Sequence, residues 1–333
     1  MARRWLIRIG GMLVTLVVAL LVAPYLIPLP AQPDLDPAQL APTNGRFLTV
    51  NGIRTFIEEA GPPDGPPVVL VHGFGGLTYT WRYTLPALAQ AGYRVLALDL
   101  AGFGHSDKSF DLRFDHASQA DFVAGVMAAV GMPRSTLVGH SMGGSVIAHI
   151  AQRHPQAVSA LVFVDGAVRG PESAGQGGGG SSIVGVPAQL GTLAQFPPLQ
   201  RWGQLVLRGF VTRERMAQAQ LSAYFVKEVV TPEVEEAYLK VMKMKDWDLA
   251  LLGVLRDGGR NTLAQPFSTI TAPVLIVWGD QDPWIPATRA EALRAALPQA
   301  ELVLIPDTGH LPMEEDPAAF NSALLEWLGK QGK

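Results

Sequence analysis

Short apolar runs recur along the chain, and segments with helical periodicity separate most of them. The runs have almost no polar interruption, which is typical of strands that are buried on both faces of a sheet. We predict strands at residues 68–71, 95–98, 136–138, 160–164, 274–278 and 302–305.

Helical patterns lie between these runs, so that strands and helices alternate. We predict helices at residues 81–90, 114–130, 142–153, 288–296 and 318–328. This alternation indicates an α/β fold, in which a mostly parallel sheet is covered by helices on both faces. Functional sites of such folds lie at the carboxyl ends of the strands.

The globular part of the chain opens with a hairpin instead of a strand–helix unit. Two β-rich runs, at residues 46–50 and 53–58, are joined by Asn51-Gly52. This dipeptide tolerates the positive φ angles of a tight hairpin turn, so we predict an antiparallel pair here.

The alternation is interrupted between about residues 167 and 266, where no strand-like run occurs. The segment opens with a glycine-rich stretch from Gly175 to Ser182, which we interpret as mobile, and then has the pattern of several helices. Because a helical insertion between two parallel strands can lie only over one edge of the sheet, we predict a cap. Its many aromatic and methionine side chains are typical of a core of the cap itself, and they also suggest an apolar group in the substrate.

A run without charged residues extends from Ile9 to Leu29 and follows three arginines at residues 3–8. At ~1.5 Å per residue the run is ~30 Å long, the thickness of the hydrocarbon core of a bilayer. The arginines favour a retained signal anchor, with everything after Pro30 on the extracytoplasmic side of the membrane. Two alternatives stay open. One is a signal peptide that is cleaved so that the protein is exported, although residues 29–31 are a poor cleavage site. The other is a core or interfacial helix.

These patterns divide the chain into consecutive segments. We predict a signal anchor or signal peptide (1–30), a proline-rich linker (31–45), the first part of a core (46–166), a helical cap (167–266) and the second part of the core (267–333).

Composition excludes several classes of function. The 26 Lys and Arg residues do not exceed the 29 Asp and Glu residues, so nucleic acid is not an expected partner. The absence of cysteine removes thiol nucleophiles, cysteine zinc sites and iron–sulfur clusters. Serine therefore becomes the default nucleophile. We expect neither a cofactor nor a metal.

The sharpest local motif is Gly139-His140-Ser141-Met142-Gly143, which lies between a predicted strand and a predicted helix. A serine at such a turn is held in a strained conformation that costs ~1–3 kcal/mol, and the glycines remove side chains that would collide there. The N–H groups at the start of the helix favour a developing anion. Taken alone, the motif also fits a serine that merely caps the helix.

Further motifs follow other strands in a fixed order. They are His72-Gly73-Phe74-Gly75, Asp99-Leu100-Ala101-Gly102-Phe103-Gly104-His105-Ser106, Trp278-Gly279-Asp280-Gln281-Asp282-Pro283 and Gly309-His310-Leu311-Pro312-Met313-Glu314-Glu315-Asp316-Pro317. Together with the Ser141 motif, they make residues 46–329 resemble the α/β-hydrolase family.

The resemblance implies a catalytic triad in the chain order serine, acid, histidine. Ser141 would be the nucleophile and His310 the base, since His310 is the one histidine of seven that follows the predicted cap. Asp282 matches the position of the acid, and Asp165 is the alternative that a minority of such enzymes use. We interpret the other histidines as packing or surface residues, with His116 and His149 among those on helix surfaces or in the cap.

The resemblance also implies the surroundings of the reacting atoms. The backbone N–H groups of Phe74 and Met142 would form the oxyanion hole. We expect the side chains of Phe74, Trp284 and Leu311 to bind substrate. Glu315 would be structural and would fix the His310 loop against the last helix.

Departures from subfamily patterns narrow the expected reaction. Epoxide hydrolases and haloalkane dehalogenases of this family carry an aspartate nucleophile, which Ser141 disfavours. Carbon–carbon bond hydrolases usually have Asn before the serine and Trp after the histidine, where this chain has His140 and Leu311. The remaining similarity is to capped esterases and monoacylglycerol-type lipases.

We therefore expect a serine hydrolase that cleaves carboxylic esters, with an apolar acyl or alkyl group, through an acyl-enzyme. The expected partners are a lipophilic small-molecule ester and the membrane, through residues 9–29. The alternatives are a carbon–carbon bond hydrolase, a cofactor-free haloperoxidase or perhydrolase on the same triad, and a non-catalytic hydrolase-like binding protein.

Overall fold

The computed structural model describes residues 2–171, 195–258 and 261–331. Strands in this part of the chain form one eight-stranded sheet with the order β1-β2-β4-β3-β5-β6-β7-β8. The strands are β1 (Arg46–Val50), β2 (Ile53–Ala60), β3 (Pro67–Val71), β4 (Arg94–Leu98), β5 (Ser135–His140), β6 (Val158–Val164), β7 (Val274–Gly279) and β8 (Ala300–Ile305).

The sheet is parallel from β4 to β8, and the β1–β2 hairpin extends it in antiparallel fashion beside β4. Asn51 and Gly52 have φ angles of 51° and 79°, and Val50 pairs with Ile53 across them. The predicted hairpin turn is therefore confirmed, because two consecutive positive φ angles are what a tight two-residue turn requires.

The helices lie before, between and after the strands. They are α1 (Ala2–Leu26), α2 (Pro37–Leu40), α3 (Thr84–Gln90), α4 (His116–Ala129), α5 (Met142–Arg153), α6 (Pro197–Phe210), α7 (Arg213–Leu221), α8 (Pro232–Leu239), α9 (Trp247–Asp257), α10 (Thr288–Ala296), α11 (Pro312–Glu315) and α12 (Pro317–Lys330). The predicted helix at residues 81–90 is shorter than expected, since a 3₁₀ turn occupies Thr78–Trp81 before α3 begins.

Both faces of the sheet are buried, as the uninterrupted apolar strands predict. Val69 and Val71 of β3 belong to one apolar cluster, which includes side chains of α4, α5 and α10. Val68 and Leu70 belong to a second cluster, which includes side chains of α3 and α12. Alternate residues of a strand point to opposite faces, so the parallel strands β3 to β8 contribute to both clusters. The predicted fold class is thus confirmed.

The described part of the segment between β6 and β7 is helical, and α6 packs against α9 within it. The glycine-rich stretch from Gly175 to Ser182 lies outside the described residues. The proline-rich segment before β1 is attached to these helices, because the Leu35 amide donates to Lys243 O at 2.9 Å and Leu35 O accepts from the Lys245 amide at 2.9 Å. The segment is therefore held along the inserted helices rather than running free of them.

The N-terminal helix stands apart from the sheet. Its stretch from Arg4 to Leu26 is long and apolar enough to cross a membrane, and it is not buried within the protein. Its C-terminal turns approach α6.

We expect Gly143→Ala to destabilise the fold. A Cβ atom at Gly143, the second residue of α5, would overlap the carbonyl oxygen of Val71 at the end of β3. The strand and the helix would have to separate, so the free energy of unfolding should fall by ~1–3 kcal/mol in urea titrations.

Gly329→Ala is the matched control, because a Cβ there meets no atom within 4 Å. Alanine has the higher helix propensity, so this change should leave stability equal or raise it by up to ~1 kcal/mol. Equal effects of the two substitutions would contradict the close approach of β3 and α5.

Candidate active site

The residues that the motifs single out meet at the carboxyl ends of the parallel strands. β3 lies between β4 and β5, so the connections after β3 and β5 leave the sheet at the point where the strand order reverses. Such a crevice is the common ligand site of open α/β sheets. Ser141 follows β5, Asp165 follows β6 and Asp282 follows β7.

Ser141 forms the turn between β5 and α5 in a strained conformation. Its φ and ψ angles are 49° and −116°, which a non-glycine residue rarely adopts. Several backbone bonds hold the strain, because the Ser141 amide donates to Val164 O at 2.8 Å while its carbonyl accepts from Gly144 at 3.0 Å and Ala167 at 2.9 Å. The surrounding structure thus determines the position of the serine at a cost of ~1–3 kcal/mol.

His310 and Asp282 form a buried pair. Nδ1 of His310 donates to Oδ2 of Asp282 at 2.7 Å, and Oδ1 of Asp282 accepts from the amides of Trp284 at 2.7 Å and Ile285 at 2.9 Å. The carboxylate is therefore held at both oxygens, and the histidine ring cannot rotate without breaking a charge-assisted bond.

Nε2 of His310 is buried and has no hydrogen-bond partner among the described residues. Because Nδ1 carries the hydrogen that Asp282 accepts, Nε2 of the neutral ring presents its lone pair. Nε2 does not bond to Ser141 Oγ in this structure. In unliganded enzymes that contact often forms only when substrate binds.

Asp165 places a second carboxyl group beside the pair. Its Oδ1 accepts from the Gly279 amide at 3.0 Å, and its Oδ2 has no partner among the described residues. Burial raises the pKa of the Asp165 carboxyl well above its usual range, and the charge of Asp282 raises this pKa further. Both effects favour the protonated form of Asp165.

By spacing alone, Asp165, Asp282 and His310 could hold a metal ion, since one ligand atom of each lies within 4.8 Å of the others. However, Nδ1 of His310 and Oδ2 of Asp282 are already bonded to each other, and Oδ1 of Asp165 accepts a backbone bond. A metal would have to displace these bonds, so the donor set fits a hydrogen-bonded acid–base group better.

The backbone amides of Phe74 and Met142, beside Ser141, have no hydrogen-bond partner among the described residues. Met142 is the first residue of α5, where an N–H group has no partner within the helix. The Phe74 loop lies against the serine, because a Cβ atom at Gly73 would be 2.9 Å from Ser141 Cβ.

His140 contributes more than the packing role that we expected from the motif. Its Nε2 donates to the carbonyl of His310 at 2.7 Å, and the two rings lie 4.8 Å apart. Burial lowers the pKa of His140 well below its ordinary value, and His310 lowers it further. A neutral His140 therefore connects the end of β5 to the His310 loop.

Glu315 holds the His310 loop, but not against the last helix as expected. Its carboxylate accepts four backbone N–H bonds of 2.8–3.2 Å. Two come from Gly309 and Leu311, on either side of His310, and two come from Phe225 and Val226, which follow α7. The loop is therefore fastened to the inserted helices, and the His310 amide adds a 2.9 Å bond to Ala223 O.

Glu314, a motif residue for which the sequence predicts no role, also joins the His310 loop to the inserted helices. It is fully buried, lies 2.8 Å from the Arg82 guanidinium and accepts from the hydroxyls of Tyr224 and Tyr238. Burial raises the pKa of Glu314, whereas Arg82 and the tyrosine hydroxyls lower it. Adjacent acids at residues 314 and 315 were the only signal of this network in the sequence.

The residues expected to bind substrate lie in different environments. The Trp284 side chain is 44% exposed, and its ring lies 5.2 Å from that of His310. Phe74 is partly buried and packs edge-on against Phe103 at 5.8 Å. Leu311 is only 8% exposed and belongs to an apolar core cluster, so it offers little surface to a substrate.

Two histidines that we expected on helix surfaces or in the cap are buried near this region. Nδ1 of His116 lies 2.7 Å from the Ser145 hydroxyl, and the ring of His149 lies 6.0 Å from that of His116. Burial lowers the pKa of His116 to about 3, so its ring is neutral at physiological pH.

A family model described as the alpha/beta hydrolase fold matches residues 66–317. The chain is 31% identical over 88% of its length to a dihydrolipoyllysine-residue acetyltransferase component of an acetoin cleaving system from Pseudomonas putida, of which 69% is covered. It is 27% identical over 89% of its length to a 2-hydroxymuconate semialdehyde hydrolase from Pseudomonas sp. (strain CF600), of which 98% is covered. A solved structure of a membrane phospholipase A, described as a bacterial virulence factor, superposes with a TM-score of 0.68 at 27% identity and covers 99% of both chains.

Asp165→Asn tests the buried proton. A raised pKa means that the native state binds a proton which the unfolded chain releases, so wild-type stability falls as pH rises from about 4 through the folded-state pKa of Asp165. One such proton contributes up to ~1.4 kcal/mol per pH unit. Asparagine is neutral at every pH, so urea midpoints of the variant should fall less over this range. Parallel curves for the two proteins would show that Asp165 is not protonated.

Proposed function

The chain belongs to the α/β-hydrolase family, and from this premise we propose that it is a serine hydrolase that cleaves carboxylic esters through an acyl-enzyme. The observation that carries the proposal is the His310–Asp282 bond, which leaves the Nε2 lone pair of His310 free. Ser141, in its strained turn at the end of β5, is the nucleophile that such a base would serve.

Acylation follows from these groups. Ser141 Oγ attacks the ester carbonyl carbon while Nε2 of His310 takes the hydroxyl proton, since a serine hydroxyl is a weak nucleophile until a base removes that proton. The carboxylate of Asp282 stabilises the resulting imidazolium. When the tetrahedral intermediate collapses, the bond to the alkoxy oxygen breaks and His310 returns the proton to the leaving alcohol.

Deacylation repeats these steps with water. His310 takes a proton from water, the hydroxide oxygen attacks the acyl carbon, and the proton returns to Ser141 Oγ as the carboxylic acid leaves. The negative charge on the carbonyl oxygen is met in both steps by the amides of Phe74 and Met142, which have no other partner among the described residues. Each such donor stabilises the transition state by ~2.7–4 kcal/mol.

An apolar substrate and a membrane location belong to the same proposal. We interpret residues 167–266 as a cap over the site, with Trp284 and Phe74 at the substrate. The apolar helix α1 would be the membrane anchor, with the hydrolase domain on the extracytoplasmic side. The similarity to a membrane phospholipase A along nearly the whole chain, α1 included, supports an ester substrate with an apolar chain.

Cleavage of a carbon–carbon bond is the second candidate. It is favoured by the 27% identity to a 2-hydroxymuconate semialdehyde hydrolase over 98% of that protein. His140 and Leu311 weigh against it, because they stand where the resemblance leads us to expect Asn and Trp in such enzymes.

Ser141→Ala should abolish ester hydrolysis. We expect kcat for a short-chain aryl ester to fall by a factor on the order of 10³ or more, since the remaining groups only bind the substrate and stabilise the oxyanion. A fluorophosphonate probe should label wild type on Ser141 and leave the variant unlabelled. Ser118→Ala, which changes a hydroxyl on α4, is the control that should keep both properties. Equal hydrolysis by wild type and Ser141→Ala would instead indicate a binding protein.

A substrate panel separates the two reactions. We expect turnover of carboxylic esters of graded acyl length, with kcat/KM rising towards longer chains as more apolar surface is buried. We expect no cleavage of dienoic keto acids. Cleavage of the keto acids without ester turnover would replace the first candidate by the second.

A further inference from the structure

Helix α1 contains a gap in its own hydrogen bonding near its C-terminal end. Pro24 lies inside the helix and has no N–H group, so the carbonyl of Leu20, four residues earlier, lacks its helical donor. The indole Nε1–H of Trp202 on α6 donates to this carbonyl at 2.9 Å. A neighbouring helix thus satisfies the group that the proline leaves free, as is required where no water reaches the backbone.

Arg201 makes a second attachment beside the first. Its Nε donates to Pro24 O at 3.2 Å and its terminal nitrogen donates to Ile27 O at 3.4 Å. These carbonyls lie at the C-terminal end of α1, where helical donors are missing and a positive charge is favourable. Consecutive residues of α6 therefore fasten it to the last two turns of α1.

Other parts of the surface of α6 are occupied by the rest of the protein. Gly203 lies against Leu252 of α9, where a Cβ atom would be 2.8 Å from a leucine methyl group. Arg208 pairs with the buried carboxylate of Asp248 at 2.8 Å. At Gly203 the helix is closely packed, and the charge of Arg208 is paired.

The outward side carries an apolar stripe formed by Trp202, Val206 and Phe210. The three residues follow at four-residue intervals, so they lie on one face of the helix. Val206 is 60% exposed and Phe210 is 65% exposed. The stripe begins at the residue that bonds to α1, and it is therefore continuous with the exposed apolar surface of that helix, which includes Leu20 and Leu26.

We propose that α6 is a second membrane-contact segment, which lies in the interface of the bilayer that α1 enters and places the stripe among the lipids. The proposal rests on the membrane anchor proposed above. Leu20 lies about 9 Å along the helix from Leu26 at 1.5 Å per residue, and an interfacial helix buries its apolar face by ~5–10 Å.

The contacts around the apolar stripe favour lipid as the molecule that covers it. If α1 spans the membrane, lipid covers its exposed apolar surface at the depth where the stripe begins. Tryptophan and arginine are the residue types that anchor proteins at this depth, and Trp202 and Arg201 make the attachment. Beyond them, Arg215 lies 3.9 Å over the Phe210 ring and bonds its carbonyl, which leaves a positive charge at the edge of the stripe for lipid headgroups.

This placement brings the bilayer near the candidate active site. The nine residues of α7, about 13 Å long, connect the end of α6 to Ser222. The Ser222 hydroxyl accepts from Trp284, whose ring lies beside His310. A lipophilic ester would therefore travel a short distance from the membrane surface to the site.

The absence of cysteine from the chain permits a direct test. Full-length protein with a single cysteine at Val206 or Phe210 is spin-labelled and reconstituted in vesicles of equal parts phosphatidylcholine and phosphatidylglycerol. Accessibility of each label to oxygen, which concentrates in lipid, is compared with that to a water-soluble nickel chelate. Val14→Cys, on the exposed surface of α1, is the lipid control. Glu326→Cys, on the exposed side of α12, is the water control.

We expect the labels at residues 206 and 210 to shift from the water range towards the lipid range, at a shallower depth than residue 14. Accessibility equal to that at residue 326 would overturn the proposal. A second result would also overturn the proposal: labels at residues 206 and 210 that are shielded from both reagents and show spin–spin broadening that disappears on dilution. A second copy of the chain would then cover the stripe. Water exposure at residue 14 would overturn the anchor as well, while fluorophosphonate labelling of Ser141 would still report the proposed hydrolase chemistry separately.

Discussion

The close approach of backbone at the carboxyl ends of β3 and β5 is the constraint on which the candidate site depends. Gly143 allows the start of α5 to approach the carbonyl of Val71, and Gly73 allows the loop after β3 to approach Ser141. These contacts hold Ser141 at a positive φ angle and leave the amides of Met142 and Phe74 without other partners among the described residues. A Cβ atom at Gly143 would separate the strand from the helix, and a Cβ atom at Gly73 would press against the side chains of His140 and Ser141.

The second half of the site is held by hydrogen bonds rather than by close packing. The His310 loop bonds to the end of β5 through His140 and to the residues after α7 through Glu315. Asp282 fixes the ring itself, and beside it lies Asp165, whose pKa is raised by burial and by the charge of Asp282. Because the His310 loop is bonded both to the sheet and to the inserted helices, a movement of those helices would shift the position of His310.

The same inserted helices also connect the site to α1. The bonds from Arg201 and Trp202 join α6 to the apolar helix, while Glu314 and Glu315 join the following residues to the His310 loop. The segment between β6 and β7 therefore lies between the candidate anchor and the candidate base. This arrangement suits a hydrolase whose substrate comes from a membrane.

Local patterns in the sequence determined much of the fold and several residues of the candidate site. Apolar runs and helical periodicity were enough for the strands, the helices and the fold class, and Asn51-Gly52 was enough for the hairpin, because these features depend on neighbours along the chain. Chain order and resemblance singled out Ser141, Asp282 and His310. Pro24 even marks a carbonyl that must lack its helical donor. Only the tertiary structure decided that Trp202 supplies that donor, that Glu315 binds the amides after α7, and that burial raises the pKa of Asp165. The physical reason is that partners of buried polar atoms lie on segments distant in sequence, and packing alone brings them together.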